Sequence, residues 1–217
     1  MRAPDCLDEH LPATLQRRLA AAASAAAAPY RRFAPQLSYG RHRGPAAADA
    51  RPAAVVALLY PAGGQWHLPL ILRPDSMILH AGQICLPGGG AEPGETAGHC
   101  ALRELHEELG VAPESVRVLG ALPPLYVYAS NYLVRPFVAH TPQQPVFRPD
   151  RCEVAQLLQV PLAHLLDAGN YRTPTISRGW LSFAAPGIAF QGYHIWGATA
   201  LILNELLERV RGGAGEG

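Results

Sequence analysis

Apolar residues recur in short runs along most of the chain, and their spacing predicts a mixed domain of strands and helices. Residues 54–60 and 67–73 are apolar runs joined by Pro61-Ala-Gly-Gly64, a turn sequence that predicts a β-hairpin. Residues 84–86 predict a brief extended segment that leads into a glycine turn at residues 88–90. The remaining periodic segments predict strands at 116–122, 132–140, 154–160 and 188–196, and helices at 162–166 and 199–211.

The N-terminal part of the chain has a different composition, rich in alanine and proline. Residues 8–27 predict an alanine-rich helix, and residues 41–52 have the composition of a linker. We therefore expect a helical or flexible extension over residues 1–50, one folded domain over residues 51–212 and a disordered tail over residues 213–217.

The alanine-rich stretch at residues 18–28 is not expected to direct export. Asp5, Asp8 and Glu9 precede it, and alanine stands where an export signal needs a leucine-rich core. No run reaches the roughly 18 strongly apolar residues that a spanning helix needs, so no membrane partner is expected.

Composition limits the partners and the location of the protein. Hydrophobic residues make up 49% of the 217 positions, enough for a substantial core, and the formal net charge is only +1. A net charge this close to zero gives no electrostatic reason to expect binding to nucleic acid or to an anionic membrane. Any nucleotide that the protein recognises is therefore expected to be small. Scattered cysteines without a Cys-x-x-Cys pair predict reduced thiols in a cytoplasmic protein, with Cys100 as a buried small side chain.

Residues 96–110 predict a short amphipathic helix with a concentrated acidic face. Thr96 can cap its start, and Gly110 can end it in the left-handed conformation. At about 100° per residue, the carboxylates of Glu104, Glu107 and Glu108 fall together on one side. The apolar residues that gather on another side are Ala101, Leu102, Leu105 and Leu109.

The acidic face needs a compensating positive charge. Like charges four residues apart destabilise a helix, and they do so more strongly near a low-dielectric interior. Arg103 lies nearby in sequence, but one guanidinium does not neutralise three helix carboxylates together with Glu95. A hard divalent cation such as Mg²⁺ would, because it takes oxygen ligands and is commonly shared between carboxylates and phosphates. Taken alone, the fragment also fits the exposed face of an ordinary helix.

The wider spacing favours the metal site over the ordinary helix. It reads Gly-x5-Glu-x7-Arg-Glu-Leu-x-Glu-Glu-x-Gly-Val over residues 89–111 and resembles the signature of the Nudix hydrolases at every specified position. That resemblance implies an α/β/α sandwich with a mixed sheet, in which a loop-helix-loop holds Mg²⁺ or Mn²⁺ and hydrolyses a nucleoside diphosphate linked to another group. It also implies metal ligation by Glu104, Glu107, Glu108 and the carbonyl of Gly89, a proton-accepting role for Glu104, and a positioning role for Arg103 and Glu95.

A second element, at residues 70–89, resembles the segment upstream of this signature in coenzyme A diphosphatases. Arg73, Gly82 and Gln83 match that segment, as does Pro87-Gly88-Gly89. The likeness implies hydrolysis of coenzyme A or an acyl derivative to 3',5'-ADP and a 4'-phosphopantetheine. Ile78 stands where better-matched members have a second arginine, so an ADP-sugar, a dinucleotide or a damaged nucleotide is the alternative substrate.

Several residues outside the signature are candidates for substrate contacts. Arg73 and His80 are expected to contact phosphate groups, the alternatives being a surface charge and a turn-stabilising histidine. Tyr126, Tyr128 and Asn131 could meet an adenine ring or a pantetheine arm, or pack within their own loop. A nucleotide sensor of the same fold is the alternative of another class, although three retained helix carboxylates argue for turnover. The sequence leaves a homodimer open.

Overall fold

The computed structural model describes residues 8–22, 32–34, 45–75, 82–178 and 181–212. His80 and the expected tail at residues 213–217 lie outside these residues. The helices are α1 (Leu11–Ala22), α2 (Ala97–Leu109), α3 (Leu162–Leu166) and α4 (Gly197–Arg211), with single 3₁₀ turns at Pro113–Ser115 and Ala168–Asn170. The first strands are β1 (Arg51–Ala62), β2 (Gln65–Leu72), β3 (Ile84–Cys85), β4 (Gly88–Gly90), β5 (Arg117–Ala121), β6 (Leu125–Val127) and β7 (Tyr132–His140). The later strands are β8 (Gln156–Pro161), β9 (Tyr171–Arg172), β10 (Thr175–Arg178), β11 (Leu181–Ala184), β12 (Gly187–Phe190) and β13 (Tyr193–Trp196).

A mixed sheet forms the centre of the molecule. Strands β1 and β7 lie side by side in parallel, and the neighbouring strands join them in antiparallel fashion, in the order β3-β2-β1-β7-β5. In addition, β4 pairs with β1, β6 with β7, and β8 with β2. Most of β1 is buried, as its almost continuous apolar sequence predicts for a central strand.

Two hairpins depend on residues with positive φ. The predicted hairpin between β1 and β2 is confirmed, and Gly63 and Gly64 turn the chain at φ 56° and 74°. The single strand predicted at residues 188–196 is wrong, because Gln191 and Gly192 turn the chain at φ 48° and 83° and separate β12 from β13. The sequence pattern missed this turn because glutamine rarely takes positive φ.

The glycine segment at residues 88–90 is a strand and not the predicted turn. Gly88, Gly89 and Gly90 pair with β1 as β4, and a Cβ on Gly88 would lie 2.3 Å from the carbonyl oxygen of Ala54. Glycine is therefore required here for close approach of two backbones. Residues 91–96 then connect β4 to α2.

Helix α2 packs on one face of the sheet, with the caps that the sequence predicts. The hydroxyl of Thr96 accepts a hydrogen bond from the N–H of His99 at 3.3 Å, and Gly110 ends the helix at φ 68°. The buried face of the helix consists of Cys100, Ala101, Leu105 and Leu109, packed on Ala54, Val56 and Leu58 of β1. With this side of the helix packed on the sheet, the acidic side of α2 faces the part of the sheet that contains β4.

The other face of the sheet is covered by α1 and α4, so the expected α/β/α sandwich is confirmed. Helix α1 buries Leu11, Leu15 and Leu19 in the same hydrophobic cluster as α4. The Arg18 guanidinium donates to the carbonyls of Arg209 and Val210, each at 2.8 Å, at the end of α4. The domain division at residue 50 stays a prediction, but α1 is an integral part of this core. Within the described residues no helix is long and apolar enough to cross a membrane.

Candidate metal centre

Three carboxylates converge at the acidic end of α2. Each of Glu104, Glu108 and Glu153 offers an oxygen, and these three oxygens lie within 4.8 Å of one another. Glu104 and Glu108 are one helical turn apart on α2, whereas Glu153 comes from the loop before β8. Glu108 is fully buried and the other two are partly buried. Closely spaced carboxylate oxygens are suited to a hard divalent cation.

The loop that carries Glu153 is fixed to the end of α2. The N–H of Arg148 donates to the carbonyl of Leu109 at 2.8 Å, and the N–H of Asp150 donates to the carbonyl of Glu108 at 2.9 Å. The carbonyl of Asp150 in turn accepts the N–H of Glu153 at 3.2 Å. These contacts satisfy carbonyls that a helix end leaves unpaired, and they hold Glu153 beside the helix.

Glu108 is the most constrained of the three carboxylates. Its Oε2 accepts a hydrogen bond from the N–H of Gly88 at 2.9 Å, while its buried Oε1 has no hydrogen-bond partner and lies 3.8 Å from the Arg73 guanidinium. The pKa of Glu108 is raised to about 8, chiefly by burial and also by the charges of Glu104 and Glu153, against the lowering effects of the Gly88 N–H and Arg73. An orphaned buried oxygen of this kind fits a bound cation.

Gly89 leaves room for Glu104. A Cβ added to Gly89 would lie 2.4 Å from Oε1 of Glu104, so no larger residue fits without moving the carboxylate. The carbonyl of Gly89 accepts a weak hydrogen bond from the Cys100 thiol at 3.6 Å. Burial raises the pKa of Glu104, and Arg103 opposes that shift. The predicted metal-binding carbonyl and the predicted base are therefore next to each other.

Arg103 connects the loop to the helix. Its Nε and Nη2 donate to the two oxygens of Glu95 at 2.9 and 3.0 Å, and its Nη1 donates to Glu104 at 3.0 Å and to Glu107 at 2.8 Å. Its Nη2 also donates to the carbonyl of Gly90 at 3.1 Å. Hydrogen bonding to Arg103 lowers the pKa of Glu95 to about 2. This is the geometry required of residues that hold loop and helix in register.

Glu107 stands apart from the three converging carboxylates. Its side chain is 51% exposed and forms an i,i+4 ion pair with Arg103. The sequence predicts Glu107 as a metal ligand, and that role stays a prediction. It gives no indication that Glu153 lies beside Glu104 and Glu108. The signal for Glu153 was weak, since an acidic residue before a strand is common and nothing in sequence connects it with α2.

The candidate substrate residues are separated into two groups. Arg73 follows β2 and lies beside Glu108, at the metal centre. Tyr126 lies in β6, and Tyr128 and Asn131 lie in the turn between β6 and β7. The Tyr126 hydroxyl donates to the side-chain oxygen of Asn131 at 2.9 Å. The expected phosphate contacts of Arg73 stay a prediction.

The cysteines near the centre are not suited to nucleophilic chemistry. Cys85, Cys100 and Cys152, the cysteines in the described part of the chain, are all free. Burial raises the pKa of Cys85 to about 12 and that of Cys100 to about 11, so both thiols are protonated at neutral pH. Cys100 is buried, as predicted.

Known proteins resemble this chain in sequence and in fold. The sequence profile of the NUDIX domain matches residues 50–176. The chain is 34% identical over 155 residues to a protein of Photorhabdus laumondii described as "Uncharacterized Nudix hydrolase NudL", covering 66% of this chain and 82% of that protein. It is 33% identical to the protein of the same description from Escherichia coli K12, covering 64% and 78% of the two chains. Among solved structures, the MutT protein of Methanosarcina mazei superposes with a TM-score of 0.50 at 16% identity, covering 74% of this chain and 94% of that one, which shows a shared fold.

Proposed function

The chain belongs to the Nudix family of hydrolases, which act on diphosphate linkages, and we propose that its substrate is coenzyme A or an acyl derivative. The products would be 3',5'-ADP and a 4'-phosphopantetheine. The convergence of Glu104, Glu108 and Glu153 within 4.8 Å beside Gly89 supports hydrolysis of a diphosphate. The choice of coenzyme A rests on the segment at residues 70–89.

The donor set fits a divalent cation, Mg²⁺ or Mn²⁺, on three grounds. Three carboxylates meet, the Oε1 atom of Glu108 is buried without a hydrogen bond, and the absence of a side chain at Gly89 leaves room for the Glu104 carboxylate. The ion would be held by the carboxylates of Glu104, Glu108 and Glu153 and by the Gly89 carbonyl. Glu107 would become a further ligand if its ion pair with Arg103 were broken. When bound, such a cation reduces charge repulsion between the diphosphate and the attacking water, polarises the phosphoryl oxygen and makes the water more acidic.

The side chains around the ion have separate tasks in this proposal. Glu104 takes the proton from the attacking water, since its carboxylate lies beside Gly89 at the centre of the site. Arg103 holds Glu104 by a hydrogen bond of 3.0 Å, which fixes the direction in which the proton leaves. Arg73, already beside Glu108, places a positive charge where a diphosphate oxygen would lie. Positioning and electrostatics thus supply the catalysis.

Coenzyme A is favoured over other diphosphates by the segment at residues 70–89, which resembles the upstream element of coenzyme A diphosphatases. Arg73 belongs to that segment and lies at the metal centre. A dinucleotide or an ADP-sugar is the second candidate, because the carboxylate centre recognises only the metal and the diphosphate.

A substrate panel tests the proposal. Coenzyme A, acetyl-CoA, NADH, ADP-ribose and nucleoside triphosphates are incubated with the protein and either Mg²⁺ or Mn²⁺, and the products are separated by chromatography. We expect coenzyme A or acetyl-CoA to give the highest kcat/KM and a chelator to abolish turnover. Preference for another diphosphate would overturn the substrate assignment alone. Nucleotide binding without any hydrolysis under either metal would overturn the enzyme assignment in favour of a sensor.

A further inference from the structure

An arginine and two tyrosines form a rim at the start of β1 that the reaction itself does not use. We call Arg51, Tyr128 and Tyr132 the nucleotide rim. The Arg51 guanidinium lies over the Tyr132 ring, 4.1 Å from its centroid, and its Nη2 donates to the Ser130 carbonyl at 3.0 Å. The Tyr132 ring and the Ser130 carbonyl orient the guanidinium but carry no negative charge that would neutralise it. Arg51 therefore presents a full positive charge at an exposed position.

The rim adjoins the metal centre. The Tyr132 hydroxyl lies 3.7 Å from the position that a Cβ on Gly90 would occupy. Gly90 follows Gly89, where an added Cβ would lie 2.4 Å from Oε1 of Glu104, and the Gly90 carbonyl accepts a hydrogen bond from Arg103 at 3.1 Å. Tyr132 packs against the hydrophobic cluster on the α1 and α4 face of the sheet, whereas α2 packs on the other face. A ligand that reaches the rim from the carboxylates must therefore pass around β4 at Gly90.

The loop of the rim is held in one conformation before any ligand binds. Asn131 has φ 54°, which is unusual for a residue other than glycine. Three hydrogen bonds hold Asn131 in this conformation. Its side-chain oxygen accepts from the Tyr126 hydroxyl at 2.9 Å, and its side-chain amide donates to the Asp49 carboxylate at 3.2 Å. Its backbone carbonyl accepts from the backbone N–H of Arg51 at 2.9 Å. On this loop Tyr128 is 59% exposed and stands edge-on to Tyr126, with ring centroids 6.4 Å apart. Such preorganisation is typical of a binding surface.

We infer that the rim binds the nucleotide end of the substrate, with Arg51 contacting a phosphate outside the diphosphate bridge and Tyr128 stacking on the base. A guanidinium held flat on a ring keeps N–H groups available for phosphate oxygens, and an exposed phenol ring offers a face to a heteroaromatic base. This inference rests on the proposed function. It makes Arg51 the residue that distinguishes coenzyme A, which carries a 3'-phosphate on its ribose, from 3'-dephospho-coenzyme A, which lacks it.

The test compares these two substrates with wild-type protein and matched variants. Arg51→Gln is expected to lower kcat/KM for coenzyme A by at least about tenfold and to leave that for the dephospho compound within about twofold. Tyr128→Ala is expected to raise KM for both substrates alike, and Tyr128→Phe to restore it. Arg17→Gln, which changes an exposed arginine on α1, is the control and should alter neither.

A binding measurement makes the inference testable without turnover. By calorimetry, wild-type protein should bind 3',5'-ADP more tightly than 5'-AMP, and Arg51→Gln should remove that difference while its thermal unfolding stays unchanged. Equal effects of Arg51→Gln on both substrates, or an equal affinity of wild-type protein for both nucleotides, would overturn the inference and leave the proposed hydrolase intact. Absence of hydrolysis with the binding difference retained would overturn the proposed function alone.

Discussion

The buried carboxylate of Glu108 accepts a hydrogen bond from the backbone N–H of Gly88 at 2.9 Å, joining α2 to the glycine strand β4. This contact positions one oxygen of Glu108 and leaves the other, Oε1, buried without a hydrogen bond. A charge so placed is unfavourable in the protein alone and favourable beside a cation. The local geometry around Glu108 therefore suits the cation of the proposed function.

Replacement of Glu153 by glutamine tests the carboxylate that sequence reasoning missed. If Glu153 is a ligand, Glu153→Gln lowers kcat by about 10²-fold and raises the Mg²⁺ concentration needed for half-maximal activity. Glu114→Gln, at an exposed position in a 3₁₀ turn, is the control and should behave as wild type. Glu107→Gln is compared in the same assay and is expected to have a smaller effect, because Glu107 is half exposed and paired with Arg103. A larger loss in Glu107→Gln than in Glu153→Gln would reverse this assignment.

A methyl group at Gly89 should disable the site. In Gly89→Ala the new Cβ would lie 2.4 Å from Oε1 of Glu104, so the carboxylate must move away from the metal centre. We expect turnover to fall by at least about tenfold. Gly98→Ala is the control, since its Cβ meets only Phe137 at 3.9 Å and it lies within α2. Steady-state kinetics and circular dichroism of both variants check the prediction, and unchanged activity in Gly89→Ala would contradict the close packing described here.

The raised pKa of Glu108 predicts how stability depends on pH in metal-free protein. With a folded-state pKa of about 8 against a usual value of 4.5, the folded state keeps a proton that the unfolded state releases in this interval. The contribution of Glu108 to the free energy of unfolding therefore falls as pH rises from 4.5 to about 8, by at most about 1.4 kcal/mol per pH unit. Glu104, whose pKa is also raised, acts in the same direction.

Thermal unfolding of metal-free protein across this pH range measures the effect. Glu108→Gln should remove the contribution of Glu108, because its amide does not titrate, so its stability should decline less with pH than that of wild type. Added Mg²⁺ should stabilise wild type increasingly as pH rises. Parallel pH profiles for the two proteins would refute a protonated Glu108 in the metal-free state.

Helix α1 should contribute measurably to stability. Leu15 is fully buried between α1 and the rest of the core, so Leu15→Ala is expected to lower the free energy of unfolding by about 2 to 5 kcal/mol. The exposed neighbour Arg17 provides the control Arg17→Ala, for which a change within about 0.5 kcal/mol is expected. Denaturant unfolding measures both. Equal stability of the two variants would mean that α1 is loosely attached after all.

Local patterns predicted a large part of the fold and the site. The 3.6-residue period placed Glu104 and Glu108 on one face of α2, and Thr96 and Gly110 marked its ends correctly. Paired glycines at 63 and 64 gave the first hairpin, because their backbone tolerates positive φ. In these cases the residues that determine the structure lie within a few positions of one another.

What the sequence did not predict depends on contacts between distant segments. Glu153 reaches the metal centre only because the backbone of Asp150 binds the carbonyl of Glu108, a contact that no local pattern records. Likewise, the glycines at 88–90 form a strand because β1 offers them hydrogen-bonding partners. The Arg51 and Tyr132 stack arises from the parallel register of β1 and β7, which becomes known only once the sheet has formed.

If the carboxylates at the end of α2 drive hydrolysis of a diphosphate, removal of one charge from the buried member of the cluster should abolish most of the turnover. Hydrolysis of coenzyme A is measured with Mg²⁺ and with Mn²⁺ for wild-type protein and for Glu108→Gln, with circular dichroism to verify the fold of both. Wild type is expected to release 3',5'-ADP, and the variant is expected to be slower by at least about 10²-fold, a loss of about 2.7 kcal/mol of transition-state stabilisation. Near-normal turnover by a folded Glu108→Gln protein would contradict this role of the carboxylates.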